Sequence, residues 1–113
     1  MSERGIGDII QDMLEAAQRA VDYCSGIDYR IFVSDYKTQD AVIRNIEILG
    51  EASKLLPMDF REKNAIVPWN NIAGMRDKLI HHYFGVNIDI VWDVVQSDLP
   101  TLIESLKTIY PGC

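Results

Sequence analysis

The chain of 113 residues is poor in several things, and each shortage closes off a class of protein. It has two cysteines, Cys24 and Cys113, far apart and in no C-x-x-C or metal-spaced pattern. That argues against a disulfide framework or a thiolate metal site, so both are expected to be reduced and structural or incidental. The only histidines, His81 and His82, are adjacent. Neighbours on a helix point about 100° apart, so the pair is poorly placed to grip one ion, and no metal is expected. No apolar run approaches the roughly 18 to 20 residues that cross a bilayer. Met1-Ser2-Glu3-Arg4-Gly5 lacks the basic start and apolar stretch of a secretory leader, so the expected location is the cytoplasm, with no membrane partner. Period-two alternation and hairpin turn dipeptides are also missing, which argues against a sheet.

Basic charge is scarce as well. The net charge of −6 argues against tight binding of long nucleic acid by counterion release. The distribution is uneven, however. From Lys54 to His82 there are five basic and three acidic residues, whereas the remainder carries six basic and fourteen acidic ones. A mildly basic middle on an acidic body suits a few phosphate contacts, and the acidic ends suit a basic protein partner.

What is present is helical periodicity in one domain spanning residues 1–113. From about Gly7 to Cys24, Ile9, Ile10, Met13, Leu14, Ala17, Ala20 and Val21 recur at helical spacing, and Ser25-Gly26 ends the run. Ile27 to Val33 reads as a brief helix or an extended connector. Ser34 or Asp35 caps a second long helix that reaches Leu56, with Val42, Ile46, Leu49, Ser53 and Leu56 on its apolar face. Arg44, Glu47, Glu51 and Lys54 form a polar stripe on the same helix, by pattern a solvated face with ion pairs.

Met58 to Asn64 predicts a short helix, and Ile66 to Trp69 a tight connector. Asn70 or Asn71 is expected to cap a third major helix running to Phe84, with Gly85 as its stop. Gly74 inside that helix costs stability, which suggests that a backbone or ligand comes close there. Ile88 to Tyr110 is again amphipathic, and Pro100 predicts a kink or two abutting helices with Asp98 as a cap. The expected architecture is all-α, an antiparallel bundle of four to five helices with four main ones.

The run Arg76-Asp77-Lys78-Leu79-Ile80-His81-His82-Tyr83 concentrates chemistry on one helix. RNA cleavage without a metal needs the 2′-OH deprotonated, the 5′-oxygen protonated and the phosphorane charge stabilised. Histidine titrates near neutral pH and does the proton work. Arginine offers a charged fork for phosphoryl oxygens. Arg76 and Tyr83, seven apart, nearly align, whereas Arg76 and His81 are about 140° apart around the helix. Two copies across a two-fold axis would bring both groups of each chain to one cleft, so a dimer interface is the expected place for a site. Taken singly, each residue has a plainer role: a solvent-facing histidine, a charged face, aromatic rim packing.

Arg76-x4-His81-x-Tyr83 resembles the R-x4-6-H motif of HEPN domains, in the R-x4-H-x-Y form of the HepT-like toxins. Arg44 to Ala52 resembles that family's second-helix signature. Pro68-Trp69 with Gly74-Met75-Arg76 resembles its approach to the active helix, and Ile90 to Pro100 its last helix. The resemblance covers nearly the whole chain. It implies a helical bundle that dimerises around the motif helix and cuts RNA without a metal or cofactor. Arg76 and His81 would be catalytic, and Asp77 a plausible orienting group. His82 fits a longer motif spacing, but the x-Tyr pattern selects His81. It further implies a type VII toxin–antitoxin pair in which a minimal nucleotidyltransferase moves AMP from ATP to Tyr83, with room for a hetero-oligomer larger than the dimer. Arg44, Glu47 and Glu51 would then lie beside the cleft. The alternative is a non-catalytic helical dimer that binds the nucleotidyltransferase or a nucleotide. The acidic charge and the poor Arg76–His81 alignment favour that alternative, and the intact motif with Tyr83 favours the ribonuclease.

Overall fold

A computed structural model describes the backbone over residues 5–81 and 87–110, and the side chains over 5–75 and 87–110. Helix α1, Ile6–Tyr23, buries Ile9, Ile10, Met13 and Leu14 along one stripe. Burial of each large apolar side chain is worth about 1.5–3 kcal/mol. The buried alanines 16, 17 and 20 keep that stripe narrow, and it lies along α3, Tyr36–Lys54, in the most extensive helix pairing of the fold. Gly26, with φ +80°, turns the chain after α1 at a backbone angle that glycine adopts without strain.

Between α1 and α3 sits α2, Tyr29–Ser34, so the stretch that reads two ways in the sequence is a helix. Its start is fixed by Asp28, whose carboxylate accepts from the Ile31 N–H at 2.9 Å. Its docking is fixed by Phe32, fully buried with its ring centroid 5.0 Å from that of Trp92. Tyr29 adds an edge-on contact to Trp92 and donates its hydroxyl to Asp89; that bond is the main reason its phenol pKa is raised. Gln39, a buried polar residue, closes the far end by donating to the carbonyls of Phe32 and Val33 at 2.8 and 2.9 Å.

Asp35 is the cap of α3, as the sequence suggests, accepting from the Thr38 N–H at 3.0 Å and the Thr38 hydroxyl at 2.6 Å. Val42, Ile46, Leu49, Ser53 and Leu56 are all buried. The short α4, Met58–Lys63, reverses the chain into α5, Trp69–His81, which packs on α3. The start of α5 differs from expectation: Asn70 and Asn71 lie inside its first turn and do not cap it. The cause is Trp69, buried against Phe60, whose indole N–H donates to the carbonyls of Arg61 and Asn64, both at 3.1 Å. Those bonds anchor the helix one residue early, with Ile72 N–H donating to Pro68 O. The expected stop at Phe84 and Gly85 lies outside the described residues.

The last amphipathic stretch comprises α6, Ile88–Asp93, a π turn, Val94–Asp98, and α7, Leu99–Ile109. Asp98 is not a cap. Its backbone is helical and its side chain makes no capping bond. In an α-helix the Pro100 ring would crowd the Gln96 carbonyl and leave it without its N–H donor. The wider π turn just before it takes up that mismatch, so the helix continues with neither a break nor a new start. Tyr110 lies over α1, where a Cβ built on Gly7 would meet its hydroxyl oxygen at 2.7 Å. The four main elements are thus α1, α3, α5 and the composite α6–α7, an all-helical bundle without strands among the described residues. No helix among them is long and apolar enough to cross a membrane. Cys24 is buried in the core, with a thiol pKa raised chiefly by that burial.

Candidate functional site

Helix α5 is continuous from Trp69 to His81, so the backbone of Arg76, Asp77 and His81 follows one helical path. Ile72 is fully buried and marks the core-facing side. At 100° per residue, position 76 falls about 40° from Ile72, position 77 about 140°, and position 81 diametrically opposite it. The motif positions therefore diverge by about 140° around the axis while rising about 7.5 Å along it. One α5 does not present both to one phosphate. His82 and Tyr83 lie outside the described residues.

On α3, Arg44 and Glu47 are brought together, with nitrogen and oxygen 4.0 Å apart and side-chain exposures of 72% and 31%. Such a partly solvated pair contributes little to stability, about 0–1 kcal/mol. Glu51 is exposed one turn further along. Among the described residues no group of three or more His, Cys, Asp or Glu side chains is arranged to hold a metal.

Of the two expectations at Gly74, a close backbone from elsewhere in the chain is not met among the described residues. Among the described residues, and beyond the backbone of its own helix, a Cβ built there meets no atom within 4 Å, and the residue is exposed. Instead Gly74 borders a cavity of about 400 Å³ between α5, α3 and the α6–α7 element. Its apolar wall is Ile46, Met75, Val91 and Val94, and its polar rim is Asn70, Asn71 and Asp98. The sequence reading assigned these three polar residues to helix caps and so missed the cavity. Its one available signal was Gly74, where the sequence predicts a close backbone or ligand and the described residues leave an opening.

A four-element helical bundle carrying R-x4-H on a continuous helix defines the class of protein. A family model for HepT-like ribonucleases matches residues 13–109, and the chain belongs to that family. Two relatives agree with it along most of their length. "Putative RNase MJ0127" of Methanocaldococcus jannaschii is 42% identical over 109 residues, covering 96% of this chain and 90% of that protein. "Probable ribonuclease HepT" of Thermococcus cleftensis is 44% identical over 100 residues, covering 88% and 91%. No solved structure matches the chain.

Proposed function

We propose that the protein is a metal-independent RNA endonuclease, active as a homodimer whose cleft forms around two copies of α5. The observation that carries this reading is family membership over residues 13–109, joined to an intact Arg76-x4-His81-x-Tyr83 on the α5 segment. The divergence of positions 76 and 81 on one helix supports the two-copy cleft, since each chain supplies half a site. In the reaction the 2′-oxygen attacks phosphorus and the bond to the 5′-oxygen breaks. The products are a 2′,3′-cyclic phosphate and a free 5′-hydroxyl. His81 carries the proton, Arg76 stabilises the phosphorane charge, and Asp77 and His82 flank them as supporting polar groups. Arg44, Glu47 and Glu51 line the α3 side.

In the cell we assign it as the toxin of a type VII toxin–antitoxin pair in the cytoplasm, with a minimal nucleotidyltransferase as antitoxin, in a hetero-oligomer larger than the dimer. AMP transferred to Tyr83 would place phosphate charge beside Arg76, filling the cleft and repelling RNA. The test is cleavage of end-labelled RNA in EDTA by wild type, Arg76→Ala and His81→Ala. Wild type alone should cut and leave the cyclic phosphate, with all three proteins folded and dimeric. Activity in both variants removes the catalytic assignment. A clean dimer that cuts no RNA favours the non-catalytic partner-binding reading, which the net charge of −6 also suits. Tyr83→Phe should keep cutting when the partner and ATP are added; normal neutralisation would remove Tyr83 as the modified site.

A further inference from the structure

We propose that the exposed surface of α2, with the seam it makes against α6, is a docking surface for another protein, one that presents apolar side chains flanked by lysine or arginine. The surface is independent of the ribonuclease reading and makes no use of α5. Helix α2 enters the core through Phe32 alone. Tyr29, Ile31 and Val33 remain 41–45% exposed, and Tyr36, two residues past its end, is 73% exposed. These are four of the nine exposed large apolar side chains among the described residues, gathered within eight consecutive positions. Single apolar residues scattered over a surface need no explanation, whereas a concentrated set marks an interaction site.

The local geometry shows how they are laid out. At 100° per residue, Tyr29 and Val33 lie about 40° apart on one flank of α2, and Ile31 lies on the opposite flank. The Tyr29 flank faces α6, because its ring meets Trp92 edge-on at 6.0 Å between centroids. An occupant straddling α2 covers both flanks and reaches Tyr36. Tyrosine and tryptophan suit that task, since they bring large contact areas and anchor many protein interfaces.

Charge selects the occupant. Residues 28–40 and 87–93 carry five aspartates against Arg30 and Lys37, and residues 82–86 add no aspartate, glutamate, lysine or arginine. Asp28 and Asp35 are engaged as helix caps. Asp89 and Asp93, both exposed and one turn apart on α6, border the seam. Asp89 accepts the Tyr29 hydroxyl, and the negative charges of both carboxylates add to that bond in raising the phenol pKa. A basic side chain laid along the seam would meet two carboxylates and the face of an aromatic ring, each of which attracts a cation. RNA or an anionic membrane would meet like charge there. A second copy docked by the same face across a two-fold axis would set the aspartates of both chains against each other.

The test titrates the isotope-labelled full-length protein with an amphipathic helical peptide of leucine and arginine while amide resonances are followed by NMR. The peptide should move the resonances of residues 29–37 and 89–93 before any others, and should bind more weakly as salt is raised. Val33→Ser with Tyr36→Ser should weaken it about tenfold, as should Asp89→Asn with Asp93→Asn, and only the second pair should reduce the salt dependence. Leu55→Ser, at a residue 64% exposed just past the far end of α3, should change nothing, and all variants should keep native helicity. Shifts centred elsewhere, or an equal loss in Leu55→Ser, overturn the surface. So does a peptide with serine in place of leucine that binds as tightly, since it reads charge alone. A short RNA that moves the same resonances overturns the choice of partner. Sedimentation of the protein without peptide supplies the last arm: an assembly that Val33→Ser with Tyr36→Ser dissolves would mean that a second copy covers the face, and the proposal fails.

Discussion

Replacing Gly74 by alanine should stabilise the protein. The residue is in the interior of α5, five positions from its start, where glycine costs about 1 kcal/mol relative to alanine because it loses more backbone freedom on folding. That penalty is recoverable only where the new methyl group has room, and among the described residues beyond its own helix backbone it meets no atom within 4 Å. The expected gain is therefore about 0.5–1 kcal/mol, part of it from a less flexible unfolded chain. For a domain near this size that corresponds to a rise in Tm of about 4–8 °C per kcal/mol. Urea unfolding of wild type and Gly74→Ala, at protein concentrations a hundredfold apart, measures it. An unchanged m-value with a higher midpoint at both concentrations is the expected result. Destabilisation would refute the reasoning. If the loss grew at the higher concentration, where a dimer is favoured, a second copy's backbone would be packed against Gly74 in the assembly.

Two further effects follow from the α2–α3 corner. Thr38 hydrogen bonds hold the Asp35 carboxyl below its ordinary pKa, so this group adds stability above the unfolded-state value, and that contribution is lost as pH falls through the lowered folded-state pKa. Asp35→Asn should therefore flatten the acid limb of a stability–pH curve below about pH 4, and an acid limb identical to wild type would show that the cap does not titrate with folding. Phe32→Ala should cost about 3–5 kcal/mol in urea unfolding, because a fully buried ring against Trp92 is replaced by a void. A loss under about 1 kcal/mol would mean that α2 is not held by that ring.

The long helices were legible because repetition makes them so: Val42, Ile46, Leu49, Ser53 and Leu56 step by three and four, and every one is buried. Residues 29–34 were not, since fewer than two turns carry no readable period. Their helix depends instead on the Asp28 cap and on Trp92, sixty residues beyond Phe32. The same limit explains the misplaced caps. Asn70, Asn71 and Asp98 are sound cap residues by type, but capping is decided by where the helix starts. Trp69, fastened to the carbonyls of α4, moved one start, and the π turn before Pro100 removed the other.

The candidate site was legible in a different sense. Arg76, His81 and Tyr83 could be picked out by spacing, which a family motif preserves in one dimension. What spacing does not carry is direction. A helix continuous from Trp69 to His81 commits positions 76 and 81 to sides about 140° apart, whatever their chemistry. Within one chain that angle is a defect in a catalytic pair. In the proposed two-fold dimer it is a requirement, because each copy would then supply one group to each of two symmetric halves of a cleft. The side of α5 opposite Ile72 fits that arrangement. Positions 70, 74, 77 and 81 run along it as Asn, Gly, Asp and His, with no apolar residue that would draw the stripe into the core of a single bundle. The helix keeps one side for its own fold and leaves the other polar, as the proposed two-copy cleft requires.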